Sequence, residues 1–331
     1  MKEVAFIKQN KEKWLEFERL LTLNQTQNPD EMASLYIHLL NDLSFSQTYY
    51  PKSKTTVYLN YLVSQIYRKI YKTKRLQQNR FRYFFATEVP QLMYHYRKTM
   101  IYTLCIFLFF VFIGAISAKY DDSFVRLILG DQYVNMTLQN IENGDPMAVY
   151  KSGSMLGSFI GITVNNIYVA IRAFMYGLTA GILTFYIALQ NGIMLGAFQY
   201  FFYQHGEFEA SLRGIWLHGA MEIFSIVVSV AAGFILASSV LFPKTYSRLY
   251  ALKKGFQDSL KIILSTLPFF IAAGFIEGFI TRYANTMPLW LNVFIILGTL
   301  CFICFYYLIY PHVVVKRLKK HEQKSSSFNL N

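Results

Sequence analysis

The chain has 331 residues, of which 54% are hydrophobic and only 15% charged, and its formal net charge is +13. Apolar residues gathered in long blocks exclude an ordinary soluble core and point to a polytopic membrane protein. The basic excess comes with no nucleic-acid module, so it reports membrane topology and contact with anionic lipid headgroups.

Residues 1–98 hold 16 basic and 8 acidic side chains, and the stretch after Val315 holds five basic ones against Glu322 alone. Residues 119–151 carry three basic and five acidic side chains. Basic flanks stay on the cytoplasmic side, so both termini are expected inside and 119–151 outside a bacterial cytoplasmic (inner) membrane. Cys105, Cys301 and Cys304 fall within predicted spans. Cys301-x-x-Cys304 lacks the further ligands that zinc requires, so neither a metal nor a cofactor is expected.

In chain order, Phe6–Leu23 has an apolar face made by Trp14, Phe17, Leu20 and Leu21. Asn28-Pro29-Asp30-Glu31 is a helix start, with a capping side chain, proline in the first turn and acids for the dipole. Pro51 closes that element, and Val57, Tyr58, Tyr61, Leu62, Ile66 and Ile70 mark a third helix. Residues 1–85 therefore read as a small N-terminal cytoplasmic helical domain, and 86–98 as a juxtamembrane segment. The bundle is expected over 99–315, with spans at about 100–118, 167–189, 215–242, 262–283 and 289–310. Gln190-Asn191-Gly192 reads as a break, which leaves 191–203 as a short or re-entrant element. Pro311 is expected to close the last span before a basic cytoplasmic tail, 316–331. The fold class is all-α: a polytopic membrane helical bundle of about six membrane elements.

Small residues four apart let helix backbones approach closely in lipid. Gly153-x3-Gly157-x3-Gly161, Gly177-x3-Gly181, Gly192-x3-Gly196 and Gly274-x3-Gly278 carry that spacing. Asn191, Gly219 and Gly233 join these as expected packing positions.

His218 and Glu222 lie at i and i+4, hence on one helix face, inside an apolar stretch where ionisable groups must face protein or water. At 1.5 Å per residue, Glu222 lies about 10 Å below Ile215, Glu277 about 9 Å from Tyr283, and Arg172 about 8 Å beyond Ile167. Arg282, Asn165 and Asn166 fall near the same level. Two acids and two arginines at one depth suggest a neutralised structural network. His218, Glu222 and Glu277 are also residue types that hold a metal or activate water. No HExxH motif, second histidine at ligand spacing, or G-x-S-x-G turn accompanies them.

At Asn165-Asn166, Gly177, Gly181, Asn191-Gly192, Gly196, His218-Gly219, Glu222 and Gly233 the sequence resembles the stage II sporulation protein M family of bacterial membrane proteins. Phe6, Trp14, Asp42-Leu43, Pro51, Leu59-Asn60 and Tyr71 are similar to its longer members. The resemblance implies a membrane scaffold that works with peptidoglycan-cutting partners. The leading expectation is thus a non-enzymatic scaffold or assembly partner linked to envelope processes. A transporter or channel-like protein using the polar cluster, and an intramembrane enzyme using Glu222 and Glu277, are the alternatives. Expected partners are the lipid bilayer, other membrane or envelope proteins and a second copy of the chain, with no nucleic acid.

Overall fold

A computed structural model describes residues 2–22, 29–71, 79–151 and 153–328, and no strand occurs among them. They form two compact units, residues 1–78 and 79–331.

The first unit contains α1 (Glu3–Thr22), α2 (Pro29–Tyr49) and α3 (Lys54–Tyr71). Helical spacing brings Phe6, Trp14 and Phe17 of α1 together with Leu39 and Leu43 of α2 and Leu59, Leu62, Val63 and Ile66 of α3. Phe6 and Trp14 pack edge to face with ring centroids 5.3 Å apart. The buried indole donates from Nε1 to Asp42 Oδ2 at 2.9 Å, and Lys13 reaches the same oxygen at 2.7 Å. Ser53 and Thr55 hydroxyls both donate to Glu3, and these bonds hold its carboxyl below the usual carboxylate range. α2 starts at Pro29, as its sequence indicates, while the expected cap Asn28 lies outside the described residues. Trp14→Phe keeps the ring packing and removes the bond to Asp42, worth about 1 kcal/mol. We expect amide exchange in α1 to quicken roughly fivefold, measured by mass spectrometry on the intact protein.

The second unit opens with α4 (Arg80–Tyr83), a π-helical turn (Phe84–Glu88) and α5 (Val89–His95). The boundary expected at 85 therefore moves to 78. Tyr306 and Tyr310 hydroxyls donate to the Phe85 and Ala86 carbonyls at 3.0 and 3.2 Å, tying this segment to the bundle. α6 (Arg97–Tyr120) is followed by the short helices α7 (Asp122–Leu129) and α8 (Asp131–Glu142). Next come α9 (Met155–Met175), α10 (Ile182–Gln204), α11 (Phe208–Leu241) and α12 (Arg248–Phe275). α12 continues through a π turn (Ile276–Ile280) and a 3-10 turn (Thr281–Tyr283). α13 (Leu289–Cys304), a further π turn (Phe305–Ile309) and α14 (Tyr310–Phe328) complete the unit. Among the described residues six helical stretches are long and apolar enough to cross a membrane.

α11 is the hub. Of its most apolar stretch 72% is buried, against 28% for the first crossing and 11% for the last. Its small residues allow this: Ala220, Ser225, Ser229, Ala231, Ala232, Gly233 and Ala237 are all buried and give neighbouring helices close access.

Several expected boundaries are corrected. The second crossing runs over Met155–Thr179 rather than 167–189, and the third is a full helix, Ile182–Gln204, rather than a short element at 191–203. The chain reverses at Ala180 and Gly181, both left-handed with φ of 56° and 84°. Gln190-Asn191-Gly192 does not break α10, because Asn191 donates to Ile187 O of its own helix at 2.8 Å. Gly192 and Gly196 lie against the α6 backbone near Phe107 and Val111. The fourth and fifth crossings start earlier than expected, at Phe208 and Arg248. Pro311 does not end the last helix, which runs on into α14; it directly follows the π turn Phe305–Ile309, where the backbone hydrogen-bond register shifts.

The glycine spacing sorts into two groups. At Gly177, Gly192, Gly196, Gly233, Gly274 and Gly278 an added Cβ would press on a neighbouring helix. Gly181 makes the reversal just described. Gly157 and Gly161 meet no other helix, so the first glycine run is not a packing motif. Gly219 meets only Ile215 of its own helix.

A chamber floored by histidine and two glutamates

Gly219 opens space instead of closing it. It lines a chamber of about 540 Å³ beneath α7 and α8, bounded by α9, α10, α11 and the π turn that follows α12. The walls are mainly apolar, with Leu129, Met194, Leu195, Phe198 and Ile215 among them. His218, Glu222, Glu277 and Asn165 supply the polar part.

Helical spacing puts His218 and Glu222 on one face of α11. Glu277 comes from the π turn, where the extra residue per turn redirects side chains, a distortion frequent at functional sites. One ligand atom from each of the three residues lies within 4.8 Å of the others. His218 Nε2 is 3.5 Å from Glu277 Oε2, and its Nδ1 is 3.1 Å from the Thr281 hydroxyl. Thr281 donates its hydroxyl proton to Ile276 O at 3.3 Å. Both His218 and Thr281 are buried. The Asn166 amide lies beside the Glu222 carboxyl, yet its Nδ2 completes no hydrogen bond.

The expected network of two acids and two arginines is overturned. Arg172 lies 17 residues into α9, about 25 Å along it and far past Asn166. Its guanidinium rests between the rings of Tyr168 and Tyr176, each 5.5 Å away, as in an aromatic membrane belt. Arg282 donates from Nε to Gly278 O at 3.3 Å and forms no ion pair with either glutamate among the described residues. The expected depth fails because α9 starts at Met155, twelve residues before Ile167. Asn165 and Asn166 do join the acids: Asn165 donates to Asn166 Oδ1 at 3.5 Å and borders the chamber.

Sequence reasoning missed Thr281, which orients the histidine, and Arg213. Arg213 donates to the Ala284 and Met287 carbonyls at 3.2 and 2.8 Å and so pins α11 to the loop after Glu277. A hydroxyl four residues past Glu277 was the available signal for Thr281. Arg213 carried none, since its partners are backbone atoms.

The family model described as Stage II sporulation protein M matches residues 103–282, more than half of the chain. A second, described as Domain of unknown function (DUF8413), matches residues 4–72. No curated protein and no solved structure matches the chain. The matched stretch runs from α6 through Glu277 to Arg282 and contains the whole polar floor of the chamber: the chain belongs to the stage II sporulation protein M family, as a multi-pass membrane protein with an additional helical domain at its N-terminus.

Proposed function

We propose that this protein is a non-enzymatic assembly component of a bacterial cytoplasmic membrane that binds a ligand in the chamber beneath α7 and α8. The chamber carries this reading. Apolar walls suit the body of an amphiphilic ligand, and His218, Glu222 and Glu277 suit its polar end. An ionisable trio used only for structure would be matched by cations, and neither arginine takes that part. The lining contains no serine or cysteine to act as a nucleophile. A through-path gains no support, because from Phe224 to Ala237 every residue of α11 except Phe234 is buried.

The charge asymmetry favours cytoplasmic termini and an outward-facing chamber, with envelope or membrane proteins as partners. Cysteine scanning in a cysteine-free background tests both points at once. With an impermeant maleimide on intact cells, Gln139→Cys and Asn165→Cys should react. Lys319→Cys and the lipid-facing Ile160→Cys should not. Reaction at Lys319→Cys would reverse the orientation, and silence at Asn165→Cys beside a reactive Gln139→Cys would refute a water-open chamber.

A further inference from the structure

We propose that His218, Glu222 and Glu277 bind a divalent transition-metal ion of the zinc class, with one coordination position left open to the chamber. The inference rests on the chamber reading above and names what joins the trio to a ligand's polar end.

A hydroxyl has one proton, and Thr281 gives it to Ile276 O. Toward His218 the hydroxyl oxygen therefore accepts, which places the imidazole proton on Nδ1. Nε2 then turns its lone pair toward the carboxylates, 3.5 Å from Glu277 Oε2. An imidazole lone pair beside a carboxylate is an arrangement that a shared metal ion completes, as a shared proton would. This is also the usual state of a metal-binding histidine, whose second nitrogen donates to an outer partner that fixes the ring.

The donor set fits the ion. Nitrogen and carboxylate ligands bind zinc at about 2.0–2.2 Å, which puts ligand atoms roughly 3.3–3.6 Å apart around a tetrahedral centre. The three donors already lie within 4.8 Å of one another, so rotation of a glutamate side chain closes the difference. Asn166 gives the second, independent sign. It is only 3% exposed, it lies beside Glu222, and its Nδ2 makes no hydrogen bond. An amide N–H held there can steady the carboxylate oxygen turned away from the metal. Three protein ligands with an open fourth position are the pattern of sites at which zinc meets an exogenous ligand.

The test uses full-length protein, purified in detergent, stripped with chelator and titrated with Zn²⁺, with bound metal counted by mass spectrometry. One zinc per chain is expected. His218→Gln and Glu277→Gln should weaken binding on the order of 100-fold, and Thr281→Val about tenfold. A folded wild type that takes up no zinc overturns the proposal, as does undiminished binding in all three variants, which would place the metal elsewhere. Should His218→Gln not fold, Glu277→Gln and Thr281→Val decide, and the spectrum of Co²⁺-loaded wild type must show a nitrogen ligand. Absent zinc binding with Asn165→Cys still reactive defeats the metal assignment alone. Silence at Asn165→Cys defeats the chamber reading instead.

Discussion

Glu222→Gln is expected to leave the protein folded, to raise its melting temperature by about 2–4 °C and to abolish metal and ligand binding in the chamber. The direction follows from what surrounds the residue. Breaking a buried ion pair strands a charge and costs about 3–5 kcal/mol. Among the described residues no arginine is paired with Glu222; its neighbours are a second carboxylate, an imidazole and an amide. Replacing one of two crowded carboxylates with a neutral isostere relieves repulsion of about 1 kcal/mol, the usual stability–function conflict of a binding site. Thermal melting in detergent and zinc titration on the same preparation check both halves. Arg172→Gln should add independently to Glu222→Gln, since the two sites share no partner. Loss of folded Glu222→Gln protein, with rescue by an arginine substitution, would reinstate a structural ion network.

What the sequence revealed depended on whether the signal was local. The core of the first unit was only partly legible from 3.6-residue spacing: Trp14, Phe17, Leu62 and Ile66 lie in it, whereas Val57 and Tyr61 of the expected third-helix face are exposed and Leu59 and Val63 are buried instead. The pairing of His218 with Glu222 needed only the rise of one helix. Glu277 was harder, because it stands 55 residues from Glu222 and only the fold brings it there. The second and third crossings failed for a physical reason. From Met155 to Tyr203 apolar residues run almost without interruption, and the polar Gln190-Asn191-Gly192 looked like the natural place to turn. Asn191 bonds within its own helix and Gly192 rests on α6, so that tripeptide needs no water. The real reversal, Ala180-Gly181, has no polar residue and is marked only by a glycine able to adopt positive φ. A helix ruler laid from the wrong start then carried Arg172 into the cluster.

Gly233 and Gly298 should respond to alanine with opposite signs. Helix propensity alone favours alanine over glycine by up to about 1 kcal/mol in a helix interior. Gly298 has nothing within 4 Å of an added Cβ, so Gly298→Ala should be neutral or mildly stabilising. Gly233 lies where α11 meets the α9 backbone and an α10 side chain. A Cβ there would strike the Ala173 carbonyl of α9 and the Thr184 side chain of α10. Thr184 Oγ1 donates to that same carbonyl at 2.9 Å, so neither neighbour can retreat without losing a buried hydrogen bond. Gly177 repeats the constraint from the other side, since its Cβ would strike the Gly233 carbonyl. Overpacking of this kind costs about 1–3 kcal/mol, enough to outweigh the propensity gain, and leucine should cost more. Melting temperatures in one detergent should therefore fall for Gly233→Ala, fall further or give way to lost folded yield for Gly233→Leu, and hold or rise for Gly298→Ala. A rise for both alanine variants would mean that propensity, and not backbone contact at α11, governs these sites.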